Sequence, residues 1–259
     1  MVDLFISMLG SLLLAATLFV LFPVDAVQAQ EEEDPGYALV LFIEIAPADR
    51  ATYREALEGL AAAAKDAGVT TPWWAWSHSA GFTVVLAIDA MSWFDEELPF
   101  WSQFPEADTE AFQAALSGFD REVTSEVTQL VPEWSYSPAN PPGEINVAHV
   151  HHNWLKAGTH QSYGDLAEEW VALLEKIGYP YTSNCMRTVV GPQKITCVDF
   201  ADSLSRYMSD ETWDDLIDAA DAREEYQALL ERWLNMVLRW EHMDANFQEN
   251  MSYMPGASD

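Results

Sequence analysis

The chain has 259 residues and a formal net charge of −30, from 42 acidic against 12 basic side chains, with 49% hydrophobic residues. Such a charge repels nucleic acid phosphates and anionic lipid surfaces, so nucleic acid is excluded as the expected partner. The acids are spread along the chain beside an ordinary apolar content, which reads as a solvated folded surface adapted to high salt, not as a disordered acidic tail.

The segment 4–22 is almost wholly apolar, and Val27-Gln28-Ala29 precedes the acidic run Glu31-Glu32-Glu33-Asp34. Small residues at −3 and −1 behind an apolar core predict a secretory signal, residues 1–29, cleaved after Ala29. The chain is then exported, periplasmic or secreted, with no stable membrane insertion. The n-region Met1-Val2-Asp3 lacks a base, and the alternative is an anchor formed by an uncleaved helix. Residues 1–29 carry Asp3 and Asp25 and no base, which leaves −28 on the remainder.

Two stretches superpose without a gap at an offset of 110, with identities Ala38/Ala148, Val40/Val150, Tyr53/Tyr163, Glu58/Glu168, Ala62/Ala172 and Gly68/Gly178. Further on, 112–116 matches 226–230 at an offset of 114. Ser135-Tyr136-Ser137-Pro138 matches Ser252-Tyr253-Met254-Pro255 at 117. The offset grows steadily and order is kept, so the chain reads as a duplication: 30–138, a Pro-rich linker 139–144, and 145–259.

In chain order each copy predicts a strand (38–45; 145–154) and then a helix (49–66; 160–177). The second helix places Tyr163, Leu166, Ala167, Trp170, Leu173, Leu174 and Ile177 on one face, and Gly68 and Gly178 stand as C-cap glycines. Two strands follow around a Gly-containing turn (73–77 and 82–89; 183–189 and 195–200). A longer helical region comes next, carried by Phe112, Leu116, Phe119 and Val123 in one copy and by Tyr226, Leu230, Trp233 and Val237 in the other. A short closing strand is placed at 134–136 and at 251–253. The order βαββαβ is the ferredoxin-like unit, whose bare sheet face can be buried by a second copy.

With that order and that duplication the chain resembles the dimeric α/β-barrel superfamily, the antibiotic-biosynthesis monooxygenase-like and stress-responsive barrel proteins. The resemblance covers 37–138 and 145–255 and rests on element order, not on a signature motif. It implies an α+β fold in which two tandem ferredoxin-like units form a pseudo-dimeric α/β barrel within one chain. It also implies an interior that holds a ligand or an active site.

The copies differ most in their first strand, where Leu39 and Leu41 are replaced by His149 and His151. Alternation sets His149, His151 and Asn153 on one side, expected to face the barrel interior, and Val150, His152 and Trp154 on the other, expected to pack on helices. His-x-His on a strand offers two imidazoles to a metal that still lacks a third ligand, or a general base near neutral pH. His149 and His151 are therefore the candidate catalytic and metal-ligating residues; the alternative is hydrogen-bonded rim histidines. His152 reads as structural, and His160 and His242 as surface residues of helices. Trp74, Trp76 and His78 share one strand face and, with Arg187 as an anion partner, complete the candidate ligand contacts. Cys185 and Cys197 flank the turn at Gly191-Pro192 and are set either to pair as a disulfide or to remain two buried thiols. The leading expectation is a small apolar or aromatic ligand in the interior. The alternatives are an oxygenase- or isomerase-like enzyme, cofactor-free or assisted by metal or haem, and a structural module with a filled core.

Overall fold

A computed structural model describes residues 36–88, 90–95, 99–141, 143–209 and 213–255. The proposed signal segment lies outside them. The first unit runs β1 (Tyr37–Ile45), α1 (Arg50–Ala67), β2 (Trp73–Ser77), β3 (Gly81–Ile88), α2 (Glu106–Ser117) and β4 (Arg121–Leu130). The second runs β5 (Val147–Leu155), α3 (His160–Ile177), β6 (Thr182–Val190) and β7 (Lys194–Ala201). It ends with α4 (Leu204–Ser209), α5 (Trp213–Ala219), α6 (Arg223–Met236) and β8 (Val237–Phe247).

Periodicity explains the long helices. In α1 the buried residues are Tyr53, Leu57, Leu60, Ala61 and Ala64, three- and four-residue steps along one stripe. Gly68 and Gly178 end α1 and α3 in the left-handed conformation, with φ of 67° and 63°, where a side chain would be strained. Helices cover the outside of the sheet. In the first unit Tyr53, Leu57 and Leu60 pack on Ile43, Ala75 and Val84.

Eight strands close one barrel in the order β1-β3-β2-β8-β5-β7-β6-β4. Each unit contributes four neighbouring antiparallel strands, and two seams join the units. One seam pairs Val127 to Leu130 of β4 with β6; the other pairs Trp76 with Phe247 and Ser77 with Asn246. A closed sheet leaves no long edge to template aggregation, and closure turns each unit's bare face inward.

The repeated Ser-Tyr pair accounts for itself as a reciprocal clasp. Tyr136 bridges Ser183 of the other unit, and Tyr253 bridges Trp73. The Tyr136 hydroxyl donates to the Tyr179 carbonyl at 3.0 Å, and that of Tyr253 to the Val69 carbonyl at 2.7 Å. Ser135 Oγ accepts from the Cys185 amide at 3.0 Å, and Ser252 Oγ from the Ala75 amide at 2.9 Å. Each unit's tail thus ties the other unit's strand in the same three places.

Two expectations need correction. The last strand of each unit is not the short segment near 134–136 or 251–253, where the chain forms 3-10 turns and single bridges. It is β4 and β8, which were read as continuing helix. The helical spacing through Phe112 and Leu116 runs past the true helix end at Ser117, and Val123 belongs to a β-branched strand. Likewise α6 stops at Met236, so Val237 and His242 are strand residues.

Candidate functional site

The barrel interior is divided between an apolar and a polar wall. Trp74 and Trp76 of β2 pack with Ala148 and Val150 of β5, Val198 and Phe200 of β7, and Ala245 of β8. Opposite them stand Glu126 and Thr128 of β4, Asn184 and Met186 of β6, Thr196 of β7 and His152 of β5, with Phe42 and Thr83 between. They enclose a cavity of about 80 Å³. That is several times the ~10–15 Å³ that admits one water, so the core is not filled by its own side chains.

Polar groups inside are mostly paired. His152 shares a hydrogen bond with Thr196, Nδ1 to Oγ1 at 3.0 Å. Burial, then the charge of Lys194 and that of His151, push its pKa down to about 3, so it is a neutral imidazole at physiological pH. Lys194 and Glu126 form a buried ion pair at 2.9 Å, with 7% and 3% of their side chains exposed. The ammonium also lies 4.7 Å from the Phe42 ring centroid and 5.6 Å from that of Trp154. Burial raises the Glu126 carboxyl and the nearby Lys194 opposes that rise.

Two cavity-lining groups are not paired. Trp74 Nε1 and Thr83 Oγ1 are buried with no hydrogen-bond partner. A buried donor without a partner costs about 1–3 kcal/mol and calls for a group that supplies the bond.

The structure therefore places the sequence candidates unevenly. Trp74 and Trp76 line the cavity. His149, His151 and Asn153 do not: the orientation of β5 is the reverse of that expected, with Ala148, Val150 and His152 inward. Bulk decides this. Leu39 and Leu41 of β1, with the parity of His149 and His151, join the helix-covered layer. Leu155, with that parity, joins the layer under α3. His78 sits at the β2–β3 turn, where its Nδ1 accepts from the Ala80 amide at 3.3 Å and burial lowers its pKa. Arg187 is exposed and donates to Gln129 Oε1 at 2.8 Å from Nε, away from the cavity. Cys185 and Cys197 face each other across β6 and β7 and are joined by a disulfide.

On the outer face of β5, His149 Nδ1 meets Asp244 Oδ1 at 2.5 Å, and His151 Nε2 lies 3.7 Å from Asp199 Oδ2. Asp199 accepts hydrogen bonds from Tyr179 (2.8 Å) and Tyr207 (3.0 Å). Burial alone would raise its pKa; the His151 imidazole, with bonds from Ser183 and Tyr179, outweighs burial and holds the carboxyl below its usual range. Sequence reasoning missed His152, Thr83, Glu126 and Lys194. The signal for His152 was present, since it aligns with Phe42. Glu126 lay in a strand read as helix, which left no parity to assign.

No protein-family model matches the chain, and no curated protein matches it. Solved structures do. A putative monooxygenase from Lactobacillus acidophilus NCFM superposes with a TM-score of 0.51 at 10% identity, over 85% of this chain and 97% of that one. A similarly named protein from Fusobacterium nucleatum subsp. nucleatum gives 0.49 at 9% identity, over 81% and 91%. An anthrone oxidase-like protein gives 0.46 at 11%, over 82% and 90%. At these identities the likeness is one of fold: the chain shares the α/β-barrel fold of the Lactobacillus protein, with both ferredoxin-like units in one polypeptide.

Proposed function

We propose that the barrel interior binds a small, largely apolar or aromatic molecule that carries a hydrogen-bond acceptor. The observation that supports this is the pair Trp74 Nε1 and Thr83 Oγ1, two buried polar groups without partners on the cavity wall. A carbonyl or ether oxygen satisfies the indole N–H, which can only donate. Acetophenone and ethylbenzene differ chiefly in that oxygen and provide the test by tryptophan fluorescence titration. Acetophenone is expected to bind at least about tenfold more tightly, the worth of one buried hydrogen bond. Trp74→Phe with Thr83→Val should erase the preference. Equal affinities in the parent protein would overturn the reading.

A second reading, oxygenase-like catalysis, is favoured by the neutral imidazole of His152 in the same cavity and enters through the name of the Lactobacillus protein. Oxygen uptake with an electron-rich phenol tests it. His152→Phe should abolish uptake while acetophenone binding persists.

Export with cleavage after Ala29, and a salt-adapted acidic surface, are part of the same proposal and rest on the sequence pattern. Intact mass of the protein recovered from its producing cells reports the cleavage. A Tm that falls as NaCl rises to molar levels would rule out salt adaptation. No helix among the described residues is long and apolar enough to cross a membrane.

A further inference from the structure

We propose that the outer face of β5 and β8 binds a divalent transition ion such as Zn²⁺ through His149, His151 and His242. His149 and His151 project from one strand, and the antiparallel neighbour sets His242 opposite His151 and Asp244 opposite His149. The ring centroids of His149 and His151 are 4.5 Å apart, and those of His149 and His242 are 5.7 Å apart. Imidazoles at a ligand distance of ~2.0–2.1 Å around one ion stand at about this spacing.

The carboxylates carry the argument further. Asp244 holds Nδ1 of His149, and Asp199 lies beside Nε2 of His151. His149 and His151 thus each have one nitrogen turned to a carboxylate and the other left to ligate, the arrangement in which a second layer orients metal-bound histidines. Imidazole donors suit Zn²⁺, Cu²⁺ and Ni²⁺ rather than Mg²⁺ or Ca²⁺. A chain of net charge −30 draws cations toward its surface.

Among the described residues no three such side chains surround a common point as they stand. The His242 ring is stacked on Trp240 at 5.6 Å, and both residues are exposed. The proposal therefore includes a turn of the exposed His242 ring off Trp240 as the ion binds. The site lies across the sheet from the cavity, so this proposal and the ligand proposal stand or fall separately.

The test is equilibrium dialysis of tag-free protein against Zn²⁺ in millimolar Mg²⁺, with Co²⁺ absorption as a second readout. One Zn²⁺ per chain is expected, with a tetrahedral Co²⁺ band in the visible. His149→Ala or His151→Ala should each lower affinity by about a hundredfold or more, and Asp244→Asn by about 10–100-fold. His160→Ala, outside the cluster, should leave binding unchanged. Retained far-ultraviolet circular dichroism shows that a variant has folded. Binding that Mg²⁺ displaces, or that survives loss of both His149 and His151, would overturn the proposal and identify acidic-surface binding instead.

Discussion

Thr83 and Thr196 occupy the same place in the two units but have different cross-strand neighbours. Thr83 lies opposite Phe42 in the β1–β3 pair, and Thr196 lies opposite His152 in the β5–β7 pair. The second hydroxyl has an imidazole partner at 3.0 Å; the first has none. Duplication thus supplies a control within the molecule. Where the second unit satisfies its own interior polar group, the first leaves one open, in the same cavity as an equally open indole. The outer face shows the opposite asymmetry. There Leu39 and Leu41 join an apolar layer, while His149 and His151 join carboxylates and tyrosines.

The harshest way to break the comparison is through Lys194 and Glu126, an ion pair that crosses from one unit to the other. By register their counterparts are Gly81 and Met243, so the duplicated half has no such pair. Lys194→Met strands a carboxylate that is 3% exposed and should cost about 3–5 kcal/mol in urea unfolding. Adding Glu126→Gln should recover much of that loss, because no buried charge then remains. The single variant should also become relatively more stable as pH falls, since Glu126, already raised by burial, takes up a proton. Equal destabilisation by the single and double variants would show that the two groups are not coupled.

The disulfide is a second difference between the units. Cys185 and Cys197 face each other where the first unit has Ala75 facing Val84. Copying that pair with Cys185→Ala and Cys197→Val removes a cross-link over a sequence separation of 12 and should cost about 3 kcal/mol. Thermal unfolding checks it. An unchanged Tm would mean that packing alone holds this hairpin.

The duplicated order, the capping glycines and six of the eight strands were legible because each had a local cause: periodicity, a turn residue, a repeated neighbour. The other two, β4 and β8, were not. Helical spacing ran through Leu116 and Leu230 onto Val123 and Val237; it overran Gly118, the residue that ends α2, while α6 passes directly into β8 at Val237. The site was half legible. Trp74 and Trp76 were found as a strand stripe. The orientation of β5 was not, because parity separates two faces but does not say which one meets the helices.

His152 offers a milder probe of the same asymmetry. Its folded pKa of about 3 lies below the ~6.5 of an unfolded imidazole, so the folded state binds this proton less readily. Stability is therefore intact above pH 6.5 and is lost as pH falls toward 3. Between pH 7 and 5 this group alone should remove about 2 kcal/mol. His152→Phe, which copies Phe42, should delete that component and flatten the urea-midpoint profile over this range. An unchanged slope would mean that the imidazole is not held neutral.

The smallest effect is the sharpest, because it asks for a difference in sign. Thr196→Val takes the partner from a buried imidazole and should cost about 1 kcal/mol or more in ligand-free protein. Thr83→Val makes the same change of shape at the equivalent position, but removes a hydroxyl that no group satisfies. It should leave stability unchanged or raise it by up to about 1 kcal/mol, since the desolvation of an unpaired group is relieved. With acetophenone at saturating concentration the order should narrow, because only the threonine keeps the bond to the bound oxygen. If Thr83→Val is as costly as Thr196→Val without ligand, the hydroxyl already has a partner, and the cavity has no vacancy for an acceptor there.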